Sequence, residues 1–132
     1  MPSLGSTALR ASSAAAASAA GWGSGFAEVA PRHGDYAVCA VACALRIADG
    51  VVAEARLGAA AVSDRPVRLH AAERALVGSR CEPAALAAAA DEARKAVDPS
   101  DGMHASAEYR RHLTGVLTGR SAQRAYAVAA AP

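Results

Sequence analysis

The sequence has 132 residues, which is enough for one domain, and its formal net charge is +2, from 14 basic and 12 acidic residues. A charge so evenly balanced argues against a nucleic-acid-binding protein. Apolar residues make up 53% of the chain, but much of that fraction is alanine, and aromatic residues account for only 4%. Because alanine buries little apolar surface for the entropy lost on ordering, we expect a marginal domain that is stabilised by a neighbouring protein.

The first 22 residues differ in composition from the rest. They are rich in alanine, serine and glycine, and we predict a disordered tail over residues 1–22 and a domain over residues 23–132. Alanine is too weakly apolar for a typical secretion signal, and no segment reaches the roughly 20 strongly apolar residues of a membrane span.

Three cysteines, an odd number, without such a signal favour a reduced, cytoplasmic setting. The glycine-rich run Gly21–Gly25 lacks the lysine of a phosphate-binding loop and predicts a flexible linker.

Three strands are predicted after this linker. The first is Phe26–Ala30, which ends at the proline that follows it. Tyr36–Ala48 and Val51–Val62 form a hairpin, because Asp49 and Gly50 between them suit the positive φ angles of a type I′ turn. A two-stranded hairpin is marginal in water, so the first strand is expected to complete an antiparallel sheet. The buried face of the second strand is predicted to carry, at every second position, Cys39, Val41, Cys43, Leu45 and Ile47.

Helices are predicted in the second half of the chain. Pro66 begins the first helix, which ends at Gly78. Pro83 begins the second, whose alanine-rich face is expected to pack close to the sheet. After a loop at residues 98–102, a longer third helix follows, with Ser106 as its cap. The predicted apolar stripes are Leu69, Ala72 and Leu76 on the first helix and Tyr109, Leu113, Val116 and Leu117 on the third.

Together these elements predict an α+β domain. It consists of a three-stranded antiparallel sheet followed by about three helices packed on one face.

Residues with catalytic or metal-binding chemistry are few and scattered. The histidines have no pair at positions i and i+4 and no HExxH motif occurs, so a zinc site is not predicted. Cys39 and Cys43 lack Cys-x-x-Cys spacing and are expected to be small buried residues. A hydrolytic pair of Ser106 and His104 is an alternative, but a helix cap explains the serine as well. We therefore predict no catalytic residue and no metal ligand.

Arginines flank two of the predicted turns. Arg32 and Asp35 are expected in a tight turn around Gly34, where the carboxylate accepts backbone hydrogen bonds; the alternative is that they border a cofactor. Arg65 and Arg68 lie on either side of a proline and are expected to be exposed and solvated. The alternative for this second pair is that they bind carboxylates of a partner subunit.

Three short phrases occur in an order and spacing that resemble a known family. They are Arg32-His33-Gly34-Asp35-Tyr36-Ala37, Ser63-Asp64-Arg65-Pro66-Val67-Arg68 and His104-Ala105-Ser106-Ala107-Glu108-Tyr109-Arg110-Arg111-His112-Leu113. From about Gly23 to about Arg120 the chain resembles the C-terminal domain of the flavoprotein (medium) subunit of molybdenum hydroxylases. That family includes aerobic carbon monoxide dehydrogenase and the xanthine dehydrogenases.

The resemblance implies a lid and docking domain that covers one side of an FAD held mainly by a larger N-terminal domain. It also implies a role in electron transfer from iron–sulfur clusters to that FAD. The implied partners are a flavin-binding domain or subunit, a molybdopterin large subunit and an iron–sulfur small subunit. By resemblance, Phe26, Ala27 and Glu28 lie next to the flavin, although relatives often have a lysine where Ala27 or Glu28 stands.

Residues 1–22 do not resemble a flavin-binding domain. We therefore expect a split subunit or a truncated reading frame that binds no FAD by itself and is not an active enzyme alone. Neither a nucleic-acid partner nor a membrane span is expected. The alternative, from another functional class, is a small non-enzymatic module that homodimerises or binds a partner through its alanine-rich helices.

Overall fold

The computed structural model describes residues 21–131. Within them, helices pack on one face of an antiparallel sheet whose four strands follow the spatial order β1–β2–β3–β4. The elements are β1 (Trp22–Val29), β2 (Cys39–Ala48), β3 (Val51–Ala60), β4 (Val67–Arg68), α1 (His70–Leu76), α2 (Pro83–Ala96) and α3 (Ala107–Ala130). The predicted α+β domain is confirmed, with a fourth strand of two residues added to the expected three. The predicted tail, residues 1–22, lies outside the described residues apart from its last two and stays a prediction.

The hairpin of β2 and β3 turns at Asp49 and Gly50, as predicted. Both residues have positive φ angles, 54° and 78°, which is the left-handed conformation that a type I′ turn requires. The predicted buried face of β2 is also confirmed by four side chains with almost no exposure: Cys39, Val41, Cys43 and Leu45. Ile47, which follows a shift in register after Arg46, is only partly buried. Local turn chemistry and period-two alternation therefore fix the centre of the sheet.

Strand β1 begins at Trp22, so the prediction of a flexible linker over Gly21–Gly25 is wrong. The glycines allow close packing. A Cβ atom on Gly23 or Gly25 would collide with the backbone of α3, which lies across the strand. Glycine is needed here because a helix backbone approaches the strand directly.

Helix α1 begins at His70, later than the predicted start at Pro66. Between these two residues the short strand β4 pairs with the end of β3. Backbone pairing keeps the segment extended, so the proline does not begin a helix. The predicted end of the helix is confirmed, because Gly78 follows it with a φ of +86°.

Glu73 is a buried carboxylate that joins α1 to β3 and β4. It accepts hydrogen bonds from the Leu57 N–H at 2.9 Å and from Arg68 Nε and Nη2 at 2.7 and 2.9 Å. Burial opposes the charged form, but the Arg68 guanidinium and the Leu57 N–H outweigh it and lower the pKa of Glu73. Arg68, which was expected to be solvated, is therefore paired with a carboxylate of its own chain.

Helix α2 begins at Pro83, as predicted. It packs against α1 and α3 and makes no extensive contact with the sheet within residues 21–131. The expected close approach of its alanine face to the sheet is therefore wrong. Its most buried residues, Ala89 and Ala93, let the helices pack closely as one layer.

Helix α3 is the longest element. Ser106 caps it, as predicted, because its Oγ accepts a hydrogen bond from the Tyr109 N–H at 3.1 Å. Leu113 and Leu117 are buried, but Tyr109 is exposed, so the predicted stripe is wrong at its first position. The buried face also contains small residues, namely Thr114, Thr118, Ser121, Ala122 and Ala125. Side chains of this size suit a helix that lies directly on a strand.

Replacing Gly25 by alanine is expected to lower the free energy of unfolding by about 1–3 kcal/mol, because the new Cβ would press on the Ser121 carbonyl of α3. Gly119→Ala is the matched control, since that position in α3 has open space for a Cβ. Alanine there should stabilise the helix by about 0.5–1 kcal/mol. Urea denaturation measures both changes. Equal stability of Gly25→Ala and the unchanged chain would contradict the close packing of α3 on β1.

Replacing Glu73 by glutamine is expected to lower the free energy of unfolding by about 1.5–3 kcal/mol near pH 7, because it removes the charge that Arg68 and Leu57 stabilise. Folding lowers the pKa of Glu73, so its contribution is complete above the ordinary pKa and is lost as pH falls through the lowered one. The difference between the two proteins should therefore shrink below about pH 4.3.

Urea unfolding at a series of pH values measures this difference. The control is Glu92→Gln, which removes an exposed ion pair with Lys95 on α2 and should change stability by less than about 0.5 kcal/mol. A difference between the unchanged chain and Glu73→Gln that stays constant down to about pH 3 would contradict the assignment.

Candidate functional site at one end of the sheet

The three phrases of the family resemblance meet at one end of the sheet. The first lies between β1 and β2, the second follows β3, and the third begins just before α3. In an antiparallel sheet, the last residues of β1, the first residues of β2 and the last residues of β3 lie at the same end of the sheet. We call this region the motif end and define it as residues 30–38, 61–68 and 98–112.

Arg110 of α3 holds these connections together. Its Nη1 donates to the carbonyl oxygen of Ala61 at 2.9 Å and to that of Val38 at 3.5 Å. One side chain thus links the end of β3 to the residue before β2. The neighbouring Arg111 donates from Nη1 to the Val97 carbonyl at 2.8 Å, just beyond α2, where a cation complements the helix dipole.

Neither of these arginines was assigned a role from the sequence. Their partners are backbone carbonyls, which every residue carries, so the partner positions have no sequence signature. The adjacent pair Arg110-Arg111 within the third phrase was the one available signal.

The loop between α2 and α3 is tied to the segment that follows β3. The Asp98 N–H lies 3.1 Å from the Val62 carbonyl and 3.0 Å from Ser63 Oγ. Further along the loop, Asp101 accepts a hydrogen bond from the Ala107 N–H at 2.7 Å, at the start of α3. The loop between α2 and α3 is thus fixed at Asp98 to the segment after β3 and at Asp101 to the start of α3.

The first phrase forms the expected tight turn. Gly34 has a φ of +82°, and the Asp35 N–H donates to the Arg32 carbonyl at 3.1 Å. The Asp35 carboxylate accepts from the Tyr36 N–H at 2.8 Å and from Arg32 Nε at 3.2 Å. The turn interpretation of Arg32 and Asp35 is confirmed, since this local network accounts for the conformation of the segment.

Large apolar side chains are exposed at the motif end. Tyr36 is 89% exposed, Met103 94% and Tyr109 48%. The Tyr109 ring stacks on the ring of His112, with the centroids 6.5 Å apart. Two further exposed side chains of this kind, Val77 and Val128, lie outside the motif end. Contiguous apolar patches, rather than single exposed side chains, are typical of a surface that another protein covers.

The predicted flavin-adjacent residues lie on β1 and are divided between the two faces of the sheet. Ala27 is buried on the face that carries α3. Phe26 is half-buried on the opposite, outer face, and Glu28 is exposed there, close to the motif end. The Phe26 carbonyl accepts a hydrogen bond from Arg124 Nη1 of α3 at 2.7 Å. The structure therefore brings Phe26 and Glu28 to one surface and separates Ala27 from them.

The outer face of the sheet carries small residues close to the motif end. No helix of residues 21–131 covers it, since α1 and α3 pack on the other face. Phe26 lies opposite Ala42, and the Arg46–Glu54 ion pair, with a separation of 2.9 Å, is farther from the motif end. The small positions across β2 and β3 are Ala40, Ala42, Ala44, Gly58 and Ala60. These small residues lie beside Phe26, whereas Trp22 and the exposed Arg56 are on the same face farther from the motif end.

The thiols lack the chemistry of nucleophiles or metal ligands. Burial raises the pKa of Cys39 and of Cys43, and it raises the pKa of Cys81 to about 11. All three cysteines are free, and they stay protonated at neutral pH. Ser106, the proposed hydrolytic nucleophile, is used as the cap of α3.

Within residues 21–131 no group of three histidine, cysteine, aspartate or glutamate side chains is arranged to hold a metal ion. The four histidines are all exposed, at positions 33, 70, 104 and 112.

Comparison with known proteins identifies a family. Residues 24–125 match the model of the CO dehydrogenase flavoprotein C-terminal domain. Among curated proteins, the chain is 32% identical over 105 residues to caffeine dehydrogenase subunit beta of a Pseudomonas species, covering 80% of this chain and 35% of that protein. It is 31% identical over 107 residues to the carbon monoxide dehydrogenase medium chain of Afipia carboxidovorans, covering 81% and 37%.

Solved structures show the same likeness. Carbon monoxide dehydrogenase from Hydrogenophaga pseudoflava superposes with a TM-score of 0.80 at 30% identity, over 83% of this chain and 38% of that one. The chain thus spans a little over a third of the length of the relatives that it matches.

Proposed function

The chain belongs to the family of CO dehydrogenase flavoprotein C-terminal domains, and from this membership we propose that it is the lid and docking domain of a molybdenum hydroxylase flavoprotein. In this role the domain covers one side of FAD and supports electron transfer from iron–sulfur clusters to that FAD. Its named relatives are a carbon monoxide dehydrogenase medium chain and a caffeine dehydrogenase subunit. The domain is proposed to extend over residues 23–132.

The observation that carries the proposal is the convergence of the three phrases at the motif end. If the three phrases served only to pack the core, there would be no reason for their exposed residues to lie at one end of the sheet. Instead Tyr36 of the first phrase and Tyr109 of the third, 89% and 48% exposed, lie at the end that Arg110 holds in place. A pre-formed surface with exposed apolar side chains is suited to docking, because little conformational entropy is lost when a partner covers it.

Residues 21–131 fit one side of a flavin ring but do not fit the whole of FAD. The outer face offers small residues next to Phe26, where a planar ring can pack. A dinucleotide pyrophosphate is commonly bound by the backbone N–H groups of a glycine-rich loop, whereas Gly23 and Gly25 lie inside β1 against α3. FAD would supply the redox chemistry, and Phe26 with the neighbouring small residues would exclude water from one side of its ring.

The proposed partners follow from the same role. They are the flavin-binding domain, at the motif end and the outer face, and the molybdopterin large subunit and iron–sulfur small subunit of the assembled complex. A reduced cytoplasmic setting is supported by the free cysteines. None of the helices in residues 21–131 combines the length and the apolar composition needed to cross a lipid bilayer.

The purified chain is expected to be colourless, because residues 21–131 contain no glycine-rich loop that could hold the pyrophosphate of FAD. Denaturing the protein and measuring flavin fluorescence in the supernatant tests this expectation. The same measurement on a full-length medium chain from a relative serves as the positive control. A stoichiometric yellow cofactor in the purified chain would contradict the proposed division between lid and flavin carrier.

Docking can be tested with a chimera in which residues 24–125 replace the matching part of the Afipia carboxidovorans medium chain. The chimera should retain FAD and assemble with the remaining subunits, and carbon monoxide should reduce its flavin. Replacing both Tyr36 and Met103 by alanine should weaken assembly by at least about tenfold, since exposed anchors of this kind contribute about 1–2 kcal/mol each.

The control for this experiment is Val128→Ala, which truncates an exposed side chain outside the motif end. Gel filtration measures assembly, and stopped-flow spectroscopy measures flavin reduction. Assembly of the double variant that matches the control would argue against docking through the motif end. A stable dimer of the isolated chain that the double variant abolishes would favour the homodimerising module instead.

A further inference from the structure

The outer face of the sheet carries the single tryptophan and the single phenylalanine of the chain, Trp22 and Phe26. Both side chains are partly exposed, and no helix of residues 21–131 packs on them. Beside them lie Ala42, Ala44 and Gly58, whose small size allows a close neighbour. Covering two aromatic side chains would add hydrophobic stabilisation, so this face is suited to bind a further segment.

The chain enters the sheet at the edge of this face. Residues 1–20 precede Gly21, whose carbonyl accepts a hydrogen bond from the Ile47 N–H at 3.0 Å. Gly21 has a φ of +78°, the left-handed conformation that commonly follows the last turn of a helix. A helix ending at Ala20 would therefore be joined through this glycine to Trp22, next to the uncovered face.

The sequence before Gly21 has the spacing of an amphipathic helix. Apolar side chains recur at positions i, i+4, i+7, i+11 and i+15, and they are Leu4, Ala8, Ala11, Ala15 and Ala19. At about 100° per residue, Arg10, Ser13 and Ala17 fall on the opposite side. Arg10 is the one charged side chain among residues 1–20. One side of such a helix would thus be uncharged along its whole length and almost entirely alanine.

Helix α3 provides a precedent on the inner face of the same strand. The residues with which it lies against the glycines of β1 are also small, Ser121 and Ala125. The lengths agree as well. Residues 8–20 would span about 20 Å as a helix, and β1 extends about 20 Å from Trp22 to Glu28. An alanine-rich helix that turns back at Gly21 can therefore follow β1 along the outer face.

We propose that residues 8–20 form a helix that ends at Gly21 and covers Trp22 and Phe26 on the outer face of the sheet. This contact takes the place of the disordered tail that composition alone predicts. A helix of about 13 residues is marginal in water, so it depends on the face that it covers. The proposal concerns the chain without its partners and does not rest on the proposed function. A flavin ring packed beside Phe26 would have to displace the segment.

Nuclear Overhauser effects in the full chain test the contact directly, because Trp22 and Phe26 each give the only ring signals of their residue type. Effects are expected between the Phe26 ring and alanine methyl groups within residues 8–16. These residues precede Phe26 by ten or more positions, so they reach it only if the segment folds back. The absence of such effects would overturn the proposal. Effects seen only between a labelled and an unlabelled copy would also overturn it, since a second copy would then cover the face.

A charged variant tests whether the apolar side of the segment makes the contact. Replacing both Ala11 and Ala15 by glutamate should shift the equilibrium toward the undocked segment by at least about tenfold, because docking would bury two unpaired charges. Acrylamide quenching of the Trp22 fluorescence should therefore increase, and the emission maximum should move to longer wavelength.

The matched control is Ser13→Glu with Ala17→Glu, which adds the same two charges at the same spacing on the opposite side. Trp22 should remain as shielded in this control as in the unchanged chain. All four substitutions lie outside residues 21–131, so the described core is unaltered. Equal quenching in the two variants, whether raised or unchanged, would refute the proposed contact.

Discussion

Two glycines in β1 allow the backbone of α3 to lie directly on an edge strand. The contact places the helix along the sheet, from Ser121 and Ala125 beside the glycines to Thr114 near Cys39 of β2. Once α3 is fixed in this way, its first turns must reach the far end of β1 and the start of β2. The position of Arg110 between those connections is therefore a consequence of glycine at Gly23 and Gly25.

This arrangement has a cost inside the core. The helix face that meets the sheet contains hydroxyl groups, and the Thr118 Oγ1 atom is buried without a hydrogen-bond partner among residues 21–131. Ser121 and Thr114 avoid the same cost by donating to carbonyls of their own helix. A core of alanine and small hydroxyl residues gains little from hydrophobic burial, so close backbone contact has to supply much of its packing energy.

The parts of the fold that the sequence predicted are those with local causes. The turn at Asp49 and Gly50 needs two positive φ angles, and few residue pairs other than this one accept them. The Ser106 cap and the turn at Asp35 are also set by hydrogen bonds over one to three residues.

The parts that the sequence did not predict depend on distant segments. Gly23 and Gly25 resemble a linker until α3 is placed on them, and the extended segment after Pro66 is held by β3. Tyr109 fits the apolar period of α3, but within residues 21–131 no helix or strand covers its side chain, which is 48% exposed. For the site, the order of the three phrases indicated the family, whereas the role of Arg110 required coordinates because its partners are backbone carbonyls.

The arginines of the three phrases differ in which groups accept hydrogen bonds from their guanidinium nitrogens. Arg68 has both side nitrogens on Glu73, and Arg111 is committed to carbonyls at the end of α2. Each of these side chains holds two elements of this chain together, so their positions are explained by folding. Arg110 does the same with Nη1 alone, and its buried Nε has no acceptor among residues 21–131. The same side chain that holds the connections at the motif end together therefore leaves one polar atom unpaired inside the structure, which is unfavourable.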